Sequence, residues 1–287
     1  MDCKNISCWF ISYLAFLTLF SKDLVSSFPS GNNYHGYNNG HGYGLTSNLD
    51  YRFYDRSCPR LQMIVKSGVW RAFKDDSRIA ASLLRLHFHD CFVNTGGPFW
   101  PVPLGRRDSL TASEQAANTN LPSPFEPLEN ITAKFVTLGL DLKDVVVLSG
   151  AHTIGFAQCF VIKHRLFNFK GSGQPDPNLA ASSSLLSKLK DTCPNVDSSD
   201  SKLAALDPAS SVKFDNAYYV NLMNNIGLLD SDQTLMSDPT AAALVKSYSE
   251  NPYLFSRDFA VSMVKMGNVG VMTGSDGVIR AKCGFPG

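Results

Sequence analysis

The chain carries almost no net charge. Lys and Arg together number 26 against 25 Asp and Glu, a formal +1. That balance excludes the basic field by which proteins hold nucleic acid, and no acidic block is present to keep a tail solvated. Long apolar runs are also scarce: beyond the N-terminus nothing approaches the roughly 20 apolar residues that span a bilayer. No alternation of strands and helices occurs, and no segment recurs at a fixed period, which excludes βαβ sheets and solenoids. Over residues 31–44 aliphatic side chains are missing altogether, leaving Gly, Asn, Tyr and His. Such a composition cannot build a core and reads as a flexible tail.

The N-terminus is different. Lys4 precedes an apolar run over residues 8–20, which Lys22 and Asp23 end, and Ser26-Ser27 offer small residues for cleavage. The run is too short for an anchor and fits a secretory signal over residues 1–28. The expected organisation is therefore a removed signal (1–28), a Gly/Asn/His/Tyr-rich tail (29–48) and one folded domain (49–287), delivered to the extracellular space or cell wall, or to the vacuole, with no membrane attachment after cleavage. Cys3 and Cys8 leave with the signal. Cys58, Cys91, Cys159, Cys193 and Cys283 remain in an oxidising compartment, and their odd number leaves at least one outside an internal pair. Secretion also makes Asn130-Ile131-Thr132 a usable glycosylation sequon.

With 44% apolar and 18% charged residues, the folded part has ample material for a core. Its apolar spacing is helical. Leu61, Ile64, Val65, Val69 and Trp70 fit one face; Ile79, Leu83, Leu84 and residues 86–88 mark a second helix. Others follow around Phe135, Val136 and Leu138, at residues 145–148, at Leu185, Leu186 and Leu189, at residues 217–222, and at Val261, Val264 and Met266. Gly- and Pro-rich joints at 96–98, 121–124 and 171–177 separate them. The expectation is an all-α domain.

Two segments carry chemistry. In SLLRLHFHDCFV, Arg85 and His89 stand one helical turn apart and share a face. Heterolysis of a peroxide O–O bond needs a base for the proton on the near oxygen and an acid to return it to the far oxygen. It also needs positive charge where the leaving oxygen becomes negative. A neutral His does the first two; a guanidinium does the third and disfavours the imidazolium beside it. The crowding of His87, His89 and Asp90 also raises a zinc hydrolase, but His87 and His89 face different sides of a helix. In VVLSGAHTIGFAQC, His152 follows an apolar helix. As a metal ligand its second ring nitrogen would need an acceptor, and Asp232 in GLLDSDQ is the candidate.

These segments, together with VPLGRRD, FDNAYYVNL and GLLDSDQTL, resemble the secreted plant haem peroxidases of class III over nearly the whole folded chain. The resemblance implies an all-helical haem fold and the oxidation of small phenolic donors by hydrogen peroxide. It makes Arg85 the distal charge stabiliser, His89 the distal acid–base, Phe88 the aromatic beside the haem, and His152 the proximal ligand to the iron of haem b. Asp232 becomes the partner of His152, and Pro122 the donor-binding proline. Two calcium sites are implied. The proximal one is matched by Thr153, Asp207, Ser210 and Asp215, with the Lys213 carbonyl, and the distal one only by Asp90 and the Val93 carbonyl. Cys159 and Cys193 match a disulfide, and the protein is expected to be a monomer.

The pattern breaks after Asn94, which runs straight to Thr95-Gly96-Gly97. Roughly 65 residues of the family pattern are absent there, a large part of a domain. The expected fold is therefore a haem peroxidase fold truncated after the distal helix. Too few oxygens remain for distal calcium, which takes about six to eight, and Cys58, Cys91 and Cys283 lose their usual partners. The same gap supports a second reading: a non-catalytic secreted remnant, from splicing or a gene model, with an impaired haem pocket.

Overall fold

The structure, a computed structural model, describes residues 49–76, 78–79, 81–83, 100 and 102–280. Residues 1–48, read above as a secretory signal and a tail, the junction at 94–95, and Arg85, Phe88, His89, Asp90, Val93, Cys91 and Cys283 lie outside the described residues.

Helix α1 (Leu61–Asp75) buries Leu61, Val65 and Val69, spaced by one turn. Ile64 and Trp70, which the periodicity places on the same face, are exposed. Trp70 lies half a turn from the buried stripe, where its ring stacks on Phe73 at 6.2 Å under the Lys74 ammonium. Helix α2 (Glu114–Asn120) buries nothing and is held by its Ser113 cap, whose hydroxyl accepts from the Ala116 amide. Helix α3 (Leu128–Thr137) turns Leu128, Ile131 and Phe135 inward and leaves Val136 and Leu138 exposed.

Helix α4 (Leu142–Ser149) is the centre of the fold. Val145, Val146 and Val147 are fully buried, so it is covered on all sides rather than on one stripe. Its start is fixed by a capping box in which Asp141 and Asp144 each accept the other's amide. The Asp144 carboxylate also takes the Ser262 hydroxyl at 2.6 Å and the Lys265 ammonium at 2.9 Å. At its far end α4 runs into a 3-10 turn, Gly150–Thr153, that carries His152. The glycine there is required by close packing: an added Cβ at Gly150 would lie 2.6 Å from Phe255 Cε2.

The next segment forms a second, smaller core. Strand β1 (Phe156–Gln158) pairs antiparallel with β2 (Leu203–Ala205), the one two-stranded sheet among the described residues. Helix α5 (Cys159–Phe167) packs Ile162 and Leu166 against Leu179 of α6 (Pro177–Ala181) and Leu189 of α7 (Ser183–Thr192). Cys159 and Cys193 are bridged across 34 residues of chain, a closure that stabilises by about 3–4 kcal/mol on loop-entropy grounds. Cys58 is also disulfide-bonded.

The remaining helices return to the main core: α8 (Ala217–Met223), the short α9 (Asp230–Gln233), α10 (Pro239–Glu250) and α11 (Pro252–Gly267). Tyr219, Tyr248, Phe214, Phe255 and Phe259 form a chain of ring contacts with centroids 4.8–6.1 Å apart. No helix among the described residues is long and apolar enough to cross a membrane.

Asp258 fastens three of these helices. It is 5% exposed, accepts the Tyr248 hydroxyl of α10 at 3.0 Å, and pairs with Lys143 of α4 and its neighbour Arg257, each at 2.7 Å. Burial pushes its carboxyl up, but the hydrogen bonds from Lys143, Arg257 and Tyr248 outweigh it and hold the group below the usual carboxylate range. A carboxyl depressed by folding stabilises above its unfolded value of about 3.9, and that contribution is lost as pH falls through the folded value. Asp258→Asn is therefore expected to lower stability at pH 7 by about 1–3 kcal/mol. In urea melts taken across pH, the gap to the wild-type chain should narrow in acid; a constant gap would refute this account.

Candidate active site

The 3-10 turn after α4 sets His152 at the edge of the core, with its side chain 36% exposed. Its Nδ1 lies 2.7 Å from Oδ1 of Asp232, which is 2% exposed. A carboxylate only accepts, so Nδ1 is the donor, and the lone pair of a neutral imidazole falls on Nε2. Asp232 is the third residue of α9. Its other oxygen, Oδ2, accepts the Leu229 amide at 3.0 Å, and Oδ1 also accepts the Tyr218 hydroxyl at 3.1 Å. The side chain thus serves both as the helix cap and as the histidine's partner. Tyr218 further packs edge-on against the imidazole, with centroids 6.2 Å apart and planes at 81°. Burial first, and then the Asp232 charge, push the Tyr218 phenol well above its ordinary range, so it remains a protonated donor.

The loop that delivers α9 is held from below by Arg165. This guanidinium is 1% exposed. It meets Asp176 Oδ2 through Nε at 3.0 Å and Nη2 at 2.6 Å, and donates from Nη1 to the carbonyls of Gly227 and Leu228. A buried cation costs several kcal/mol unless it is paired and hydrogen-bonded. Here those bonds fix the backbone two to three residues before Asp230. His164 pairs through Nε2 with Asp230, and Phe125 packs edge-on to His164 with centroids 5.4 Å apart. The Pro124 carbonyl accepts the Ser231 amide at 3.0 Å. The segment containing Pro122, itself half-buried, is in this way tied to the strap that carries Asp232.

One residue beyond His152, Thr153 opens a second cluster. Its hydroxyl lies 3.4 Å from Asp207 Oδ2 and 3.2 Å from Asp215 Oδ1. The Ser210 hydroxyl lies 3.3 Å and 3.0 Å from the same two oxygens. Thr153 and Asp207 are completely buried. The structure thus brings together the four side chains that the sequence pattern groups. Among the described residues no cluster of three or more His, Cys, Asp or Glu is arranged to hold a metal, and here two carboxylates are joined by two hydroxyls instead.

Arg85, Phe88, His89, Asp90 and Val93 lie outside the described residues, so only the His152 side of the site is described. Sequence reasoning passes over Arg165, Asp176, His164 and Asp230, and takes Tyr218 only as an apolar face residue. The strongest signal in the chain is Arg165, a cation inside an otherwise apolar helical stripe between Ile162 and Leu166.

Residues 92–251 match the family model described as peroxidase. Peroxidase 10 of Arabidopsis thaliana is 75% identical over an alignment covering 100% of both chains. That alignment runs over 351 positions, 64 more than the 287 residues present, so at least that many positions have no residue here. Peroxidase 54 of Arabidopsis thaliana is 40% identical, covering 84% of this chain and 85% of that protein. Peroxidase N of Armoracia rusticana is 40% identical as well, covering 83% of this chain and 91% of that protein. With the paired His152 and Asp232 in place, these similarities establish that the chain belongs to the class III plant peroxidase family, whose members are hydrogen peroxide-dependent oxidoreductases.

Proposed function

We propose that the chain is a secreted, monomeric peroxidase that holds haem b through His152 Nε2 and uses hydrogen peroxide to oxidise small phenolic donors. The observation that carries this reading is the 2.7 Å bond from the His152 imidazole to a carboxylate that is almost fully buried. A ring whose Nδ1 is committed in this way has its tautomer and orientation fixed, and is a stronger electron donor at Nε2. With that arrangement His152 would hold haem iron through Nε2 when the cofactor is bound. When bound, haem supplies the centre at which the peroxide bond breaks and the oxidation of donors begins.

The chain's own residues have separate roles. Asp232 keeps His152 electron-rich, and Leu229 and Tyr218 keep Asp232 aimed at it. From the sequence pattern we assign His89 to move the proton from the near to the far peroxide oxygen, Arg85 to stabilise the charge on the leaving oxygen, and Phe88 to line the pocket. Pro122 lines the donor site. We place the missing segment after Asn94, where the family pattern breaks. Its loss leaves Asp90 and the Val93 carbonyl as an incomplete distal calcium set.

The proximal calcium reading rests on charge. Two carboxylates, Asp207 and Asp215, meet at the same pair of hydroxyls. Among the described residues the one cation paired with either carboxylate is the exposed Lys213, at 3.3 Å from Asp215. Two carboxylates, two hydroxyls and the Lys213 carbonyl are hard oxygen ligands of the kind calcium selects. Because Thr153 follows His152, the ion would brace the turn that presents the imidazole.

Two measurements test this. The purified secreted chain should show a Soret band that changes on adding peroxide and returns when a phenol is oxidised. His152→Ala should abolish that band, and a wild-type chain without haem absorbance would refute the peroxidase reading. Stripping calcium with a chelator should lower the thermal midpoint, through a stability loss of about 2.7 kcal/mol for a site filled at about a hundred times its Kd. Asp215→Asn should remove most of that chelator sensitivity; a wild-type chain indifferent to chelator would refute the calcium reading.

A further inference from the structure

We infer that Tyr218 is a positioning residue that sets how strongly His152 donates electrons, by competing with it for one oxygen of Asp232. The inference deepens the peroxidase reading and rests on it for its meaning, though not for its test.

The geometry is specific. Oδ1 of Asp232 receives two donors, His152 Nδ1 at 2.7 Å and the Tyr218 hydroxyl at 3.1 Å, whereas Oδ2 receives the Leu229 amide at 3.0 Å. The phenol shares an oxygen with the imidazole rather than taking the opposite one. Each donor to a carboxylate oxygen draws off part of its charge, so the His152 bond is weaker with Tyr218 present than without it. Tyr218 is 2% exposed, so water cannot replace its hydroxyl without repacking. Its edge contact with the imidazole prevents the ring and the carboxylate from drifting apart. The neighbouring Tyr219 acts elsewhere. It is fully buried and donates to the carbonyls of Val146 and Val147 in α4, locking α8 to that helix. Two adjacent tyrosines of one motif are thus divided between a structural bond and a bond that reaches the site.

The direction of the effect follows from this competition. Removing the Tyr218 hydroxyl returns charge to Oδ1, strengthens its bond to His152 and makes Nε2 a better donor. A better donor favours ferric over ferrous haem. Tyr218→Phe should raise the ferric-to-ferrous ratio at a given potential by about tenfold, a fall of about 59 mV in a one-electron couple. Site-specific 3-fluorotyrosine at position 218, a stronger hydrogen-bond donor, should shift the potential in the opposite sense.

The experiment has two arms. In the apoprotein, the His152 Nδ1 proton resonance is followed by NMR; it should move downfield in Tyr218→Phe and upfield with 3-fluorotyrosine. In the haem-loaded protein, the midpoint potential is read by spectroelectrochemistry. Opposite shifts in the two variants support the inference, since a mere packing defect has no reason to reverse sign. Resonances that do not move, or that move the same way in both, overturn it. Should Tyr218→Phe fail to fold, the fluorinated chain alone decides through the sign of its shift. A wild-type chain that binds no haem would overturn the peroxidase reading, while the apoprotein resonance would still decide the role of Tyr218.

Discussion

A carboxylate taken out of water must be given donors, and the bond from His152 to Asp232 exists because that requirement is met. Asp232 is almost inaccessible. Its Oδ2 is satisfied by a backbone amide and its Oδ1 by the imidazole and a phenol, because a buried acceptor left without any donor costs about 1–3 kcal/mol. The demand propagates. Leu229 must sit at the start of α9, so the loop before it must be fixed, and Arg165 fixes it from within the second core. Tyr218 must reach inward from α8, so α8 must be locked to α4, and Tyr219 supplies the lock.

The two cores therefore serve one histidine in different ways. The larger, built on the fully buried α4 and the aromatic chain of α8, α10 and α11, sets the position of the turn Gly150–Thr153. The smaller, closed by the Cys159–Cys193 bridge, carries Arg165 and so sets the position of Asp232. His152 and Asp232 are 80 residues apart in sequence. Their 2.7 Å separation reflects how well the two cores are registered. Thr153, in the same turn as His152, belongs to the cluster with Ser210, Asp207 and Asp215, so an ion there would act on that turn.

Much of this is legible in the chain. The stripes of α1, α4 and α7 follow from apolar spacing, whereas in α11 the spacing marks Val261, Val264 and Met266 while Phe255, Phe259 and Met263 are the apolar side chains buried, and in α8 it marks the exposed Val220. His152 with Asp232 follows from motif and ligand chemistry. Where spacing misleads, the cause is local. Periodicity groups Trp70 with the core of α1 because it is apolar, but it covers the outside of the helix with Phe73 and Lys74. Val136 and Leu138 sit at the C-terminal end of α3 and face out. Helix α2 buries nothing, so it leaves no apolar signal, and α5 interrupts its stripe with Lys163, His164 and Arg165.

What the sequence by itself determined is the inventory: a helical chain of the class III plant peroxidase family, with a histidine that needs an acceptor and a carboxylate able to be one. Residue types and short-range periodicity suffice for that, because they depend on neighbours within a turn or two. What only the tertiary structure decided is which donors share the carboxylate and what holds them. Arg165 draws no reading from the sequence pattern and turns out to be almost fully buried, and Tyr218 reads as core filler and turns out to touch the site. Both outcomes depend on groups far apart in the chain being desolvated together, and local sequence carries no record of that.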